Sequence, residues 1–106
     1  MPQIGVTTLT GSSGKSYQFN VYEKTTVFND FIPVVYAIAQ TGEDGGSAVL
    51  FVGESDNVRP ALDSHEKMAD LEQAGFNTIL FHRDARADVR QSVVADLTEA
   101  LNPSLQ

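Results

Sequence analysis

Val34-Val35-Tyr36, then Phe51-Val52-Gly53, then Asn57-Val58-Arg59-Pro60-Ala61-Leu62-Asp63-Ser64-His65: the fold is read from this stretch. The first tripeptide opens an apolar run to about Gln40, with Pro33 at its head, where a strand tolerates proline. Thr41-Gly42-Glu43-Asp44-Gly45-Gly46 is a turn. Ala48-Val49-Leu50-Phe51-Val52 is then continuous and apolar, as expected of a strand buried on both faces, and Gly53 ends it. The two runs read as a hairpin. Asn57 predicts the N-cap of a short helix through Leu62, with Pro60 confined to the first turn.

Working outward, Ser64 predicts the cap of a second helix with Met68 and Leu71 inward, closed by Gly75. Asn77 to His82 reads as a strand. Asp84 predicts the cap of a last helix to about Leu101, with Val89, Val93, Leu97 and Leu101 as its core stripe and Asn102-Pro103 as its stop. Towards the amino terminus, Ile4–Thr10 and Tyr17–Tyr22 flank the turn cluster Gly11-Ser12-Ser13-Gly14 and form another hairpin. Tyr17, Phe19 and Val21 share its core face, which leaves Tyr22 on the other face as a candidate interface residue. Thr25 to Asp30 reads as a turn or short helical bend. The expected class is α+β.

With 106 residues the chain has the length of one domain with a modest core. Fourteen acids against seven bases, a formal charge of −7, argue against general nucleic-acid binding, which draws its affinity from basic side chains. Zero cysteines exclude a disulfide framework, a thiolate nucleophile and cysteine-ligated zinc. No apolar run is long enough to span a bilayer, and no leader pattern opens the chain, so a cytoplasmic, bacterial protein with no membrane partner is expected.

The two tripeptides, the helix spacing after Gly53 and the ending Ala95-Asp96-Leu97 to Leu101-Asn102-Pro103 together resemble the GIY-YIG nuclease family over residues 33–105. The resemblance implies a mixed or antiparallel sheet flanked by helices in residues 33–106, with residues 1–32 as an added β-hairpin. It also implies a cleft made by Tyr36, Phe51, Gly53, Ala61, His65 and Val94. In the family, tyrosine hydroxyls position the attacking water, an arginine steadies the phosphate and a glutamate on the last helix holds a divalent metal. That trio meets the charge that builds at phosphorus. Here Phe51 has no hydroxyl, Ala61 holds the arginine position and Val94 the glutamate position. Arg59 is about 200° around the helix from Ala61, and Glu99 points away from Val94.

The resemblance therefore implies a degenerate cleft with no catalytic residue and no cofactor. The expected function is a non-enzymatic module that binds a protein, itself included, or a nucleic-acid structure. The competing reading is an altered metal-dependent nuclease built on Tyr36 with Glu54 as a metal ligand. Arg83, Arg86 and Arg90 are the candidate anion or nucleic-acid contacts, against the plainer reading that they pair with Asp84, Asp88 or other surface acids. His65 and His82 match no zinc spacing and read as packing or surface residues. Gly14-Lys15-Ser16 ends like a phosphate loop, but the glycine spacing is wrong and a strand follows.

Overall fold

The computed structural model describes residues 3–106. Five strands form one antiparallel sheet: β1 (Gly5–Thr10), β2 (Ser16–Glu23), β3 (Val34–Thr41), β4 (Ser47–Ser55) and β5 (Thr78–Arg83). Their order across the sheet is β1-β2-β5-β3-β4. Helices α1 (Val58–Asp63) and α2 (Met68–Ala74) lie between β4 and β5 in sequence, and α3 (Ala87–Leu101) follows β5. The architecture is α+β, and the two hairpins meet through β5, which pairs with β2 on one side and β3 on the other.

Both faces of the sheet are covered, and β3 shows how its residues sort between them. Val34, Tyr36 and Ile38 enter a core with Val58 and Leu62 of α1 and Leu71 of α2. Val35, Ala37 and Ala39 enter a second core with Val93 and Leu97 of α3. The period of two in side-chain direction makes this division, and the small alanines admit the long helix close to the sheet. Val89 and Leu101 complete the apolar stripe of α3 at its margins.

Local chemistry sets the boundaries. Gly45 (φ 85°) turns the β3–β4 hairpin, and Gly75 (φ 79°) ends α2 in the left-handed conformation that spares glycine a Cβ clash. Leu50 is an extra residue in β4, since Ile38 faces Phe51 while Ala39 faces Val49. This bulge turns both Leu50 and Phe51 towards the α1/α2 core.

Several expectations need correction. Tyr22 is no surface residue: it is buried against Phe28 and Phe81, with ring centroids 5.3 Å away in each case. Of the turn or helical bend expected over residues 25–30, a turn opens the segment, closed by the Thr26 N–H on the Glu23 carbonyl at 3.0 Å, and no helix forms; the rest crosses the α1/α2 side and drops Phe28 into its core. Ser64 ends α1 instead of opening α2, whose N-cap is Lys67. The N-cap of α3 is Arg86, and Asp84 acts from two residues earlier by accepting the Arg86 N–H at 2.9 Å. Asn57 holds the N-cap position of α1, but its side chain serves a different loop.

Candidate functional site

Tyr36, Phe51, Gly53 and His65 do assemble. Tyr36 stands opposite Gly53 in the β3–β4 ladder, and a Cβ on Gly53 would lie 2.6 Å from both Cζ and Oη of Tyr36. Glycine is required there because the tyrosine ring lies across the strand. Phe51 stacks beside Tyr36 at 6.1 Å and receives the edge of His65 at 4.7 Å. His65 comes from the link between α1 and α2, where its Nδ1 accepts the Lys67 N–H at 3.0 Å.

That backbone bond determines the proton. With Nδ1 accepting, Nε2 carries the hydrogen and donates it to Tyr36 Oη, 3.0 Å away. Burial lowers the pKa of His65, and burial, helped by Glu66 and Glu54, raises that of Tyr36 to about 12. Both groups are therefore neutral near pH 7. Neither imidazole nitrogen keeps a free lone pair, so His65 in this arrangement cannot accept a proton from substrate.

The other expected members lie elsewhere. Ala61 is half-buried on α1, on the Tyr36 side of the sheet. Val94 packs into the α3 core, across the sheet from Tyr36, and so lines no cleft with it. Glu54 pairs in register with Val35, whose side chain is in that α3 core, and its carboxylate is 3.7 Å from Arg90 Nε. Among the described residues no three His, Asp or Glu side chains converge as a metal site. The donor set does not fit a divalent metal at Tyr36.

The three arginines do not form a surface. Arg83 is exposed. Arg86 bonds the Asp84 carboxylate through Nε at 3.2 Å and Nη2 at 3.1 Å. Arg90 is only 4% exposed, donates from Nη1 to the Asp84 carbonyl at 3.0 Å, and leaves Nε without a hydrogen-bond partner. Arg86 is paired with Asp84, and Arg90 with Glu54 of β4.

Two features had no signal in the linear sequence. The Gly11–Gly14 turn, which superficially matched a phosphate loop, holds the protein's own carboxylate. Asp96 of α3 accepts the Ser13 N–H at 2.8 Å and hydroxyls from Ser13 (2.7 Å), Tyr17 (2.7 Å) and Ser12 (3.2 Å). These bonds, led by that of the Ser13 side chain, hold the Asp96 pKa down to about 2, and a Cβ on Gly11 would overlap the carboxylate.

The second is on the opposite face. Phe31 has φ 64°, a left-handed conformation unfavourable for an aromatic residue, and is 82% exposed. Asn57 Oδ1 accepts its N–H at 2.9 Å. Val27, 75% exposed, lies at the mouth of an apolar cavity of about 390 Å³ floored by Phe28, Ile38, Met68 and Phe76. Arg59 on the cavity rim is 3.8 Å from Asp30, next to Phe31. Comparisons with protein families, with curated proteins and with solved structures find no match.

Proposed function

We propose that this chain is a GIY-YIG-like domain without nuclease chemistry that works by binding another protein through its α1/α2 side. The observation that carries this reading is Phe31. A large aromatic residue held in a left-handed conformation and turned to water contributes little to folding, and strain of this kind is characteristic of binding sites. Val27 and the apolar cavity extend the same surface. A cavity of this size with an apolar floor and a charged rim suits an apolar side chain presented by a partner.

Support for the family reading comes from the strand arrangement, with the strand of the first tripeptide central between its hairpin partner and β5. Support for the loss of chemistry comes from the neutral Tyr36–His65 pair, from Ala61, and from Val94 and Glu54 lying across the sheet. No observation favours the metal-dependent alternative.

The test is fluorescence anisotropy of labelled single-stranded, duplex and branched DNA and RNA with manganese, at about 50 and 200 mM salt, a range over which phosphate contacts weaken steeply. Neither binding nor cleavage is expected. Salt-sensitive binding or cleavage overturns the reading. In parallel, N-acetylphenylalanine amide is titrated as a mimic of the partner's anchor. It should shift the resonances of Ile38, Met68 and Ile79, and unchanged spectra would remove the cavity from the proposed surface.

A further inference from the structure

The sheet has two edges, and they are treated differently. At the β4 edge, the segment after α3 lies alongside the strand. The Leu105 N–H bonds the Leu50 carbonyl at 2.9 Å. The Gln106 side chain then copies a peptide group: its Oε1 accepts the Val52 N–H at 2.9 Å and its Nε2 donates to the Val52 carbonyl at 2.7 Å. At the start of β1 the Gln3 side chain donates to the Gly5 carbonyl at 2.9 Å; from Val6 to Thr10 no described residue covers the β1 edge in this way.

The hydrogen-bond phase of β1 follows from its turn. Gly11 N–H bonds the Lys15 carbonyl at 2.9 Å, which makes Thr10 and Ser16 a non-hydrogen-bonded pair. By alternation, Gly5, Thr7 and Leu9 direct their N–H and C=O groups at β2. Val6, Thr8 and Thr10 direct theirs outward. The side chains of these outward residues are exposed too, because only Thr7 and Leu9 turn towards the α3 side. Ile4 (57% exposed) and Val6 (52%) add an apolar strip beside the open backbone groups.

Monomeric proteins blunt such an edge with lysine, proline or a bulge. Here no residue from Gln3 to Gly14 is charged, although 20% of the chain is. The β1–β2 ladder runs in register from Gly5 to Thr10, departing from it at Ile4, whose N–H bonds the Val21 carbonyl opposite Gly5 at 2.8 Å. We propose that β1 is a dimerisation strand, pairing antiparallel with β1 of a second copy across a two-fold axis to join two five-stranded sheets.

A second copy is the occupant that the charge distribution favours. Two chains of formal charge −7 repel each other on the whole, and pairing through the uncharged β1 strip brings no like charges of that strip together. An antiparallel strand is also its own complement across a two-fold axis. The inference rests on the protein-interaction reading only for the class of partner, and it uses a surface remote from Phe31.

Sedimentation velocity from about 1 μM to about 1 mM, a span suited to a small interface of weak affinity, tests it with four proteins. The parent should pass from monomer to dimer. Val6→Lys puts a charge on the strip, and Thr8→Pro removes an outward N–H while leaving the β1–β2 ladder intact. Each should raise the dissociation constant at least about tenfold, with circular dichroism confirming the native fold. Ala48→Lys, an exposed change on β4, should leave it unaltered. A parent that stays monomeric throughout, or a dimer that persists in either β1 variant, overturns the proposal. Nucleic-acid binding by a dimer that these variants do dissolve would instead sink the functional reading and spare this one.

Discussion

Gly53 and Asp96 show how much single positions constrain this molecule. Because Tyr36 lies over Gly53, Gly53→Ala forces the ring off its partner and should cost about 1–3 kcal/mol in urea denaturation. Gly5→Ala, with open space around its Cβ position, should be neutral or slightly stabilising. Asp96 gives a pH signature. Its folded pKa of about 2 is below the ordinary 3.8, so its contribution is full above pH 3.8 and lost as pH falls towards 2. Asp96→Asn should flatten that acid limb in a melting series. His65 acts with the same sign at higher pH: its depressed pKa makes its contribution full above the ordinary value of 6.5 and lost as pH falls through the folded one. NMR titration of the imidazole checks the direction. At Phe31, replacement by glycine removes left-handed strain of about 1–3 kcal/mol, offset by about 0.5–1 kcal/mol of added unfolded-chain entropy, and the net gain should be seen as a raised denaturation midpoint. A fall would mean that the aromatic ring serves the fold itself.

At the scale of elements, α3 is the best determined by its own sequence. Its stripe of Val89, Val93, Leu97 and Leu101 was legible as a helix face, and Asn102 ends it in the left-handed conformation at φ 46°. Leu97 is fully buried, so Leu97→Ala should lose about 2–5 kcal/mol by chemical denaturation. The start of α3 depends on a tertiary pairing. Glu54 reaches Arg90 from β4, and Glu54→Ala leaves a buried guanidinium without its carboxylate. A loss of about 2 kcal/mol is expected, less than for a fully enclosed pair. Arg90→Met, which removes the charge and keeps the packing volume, should be close to neutral. Equal losses in the two variants would show that the guanidinium itself, through the Asp84 carbonyl, holds the helix start. The β1–β2 hairpin was legible from its turn and alternation, but the reading placed Tyr22 outside because it allowed that hairpin only one covered face.

For the whole molecule, the division is between what a chain segment can specify and what requires two segments to meet. Periodicity, turn residues and the apolar runs determined the five strands, the three helices and the α+β class, since each depends on neighbours within about a dozen positions. No helix among the described residues is long and apolar enough to cross a membrane. Tyr36, Phe51, Gly53 and His65 lie together, because the β3–β4 ladder and the short helix that follows bring them close along the chain. The tertiary structure alone placed Val94 and Glu54 across the sheet, buried Arg90, filled the Gly11–Gly14 turn with Asp96 from 83 positions away, and covered one sheet edge while leaving the other open. Those outcomes depend on which faces the helices pack against and on where distant hydrogen-bonding groups meet, and no local pattern carries that information.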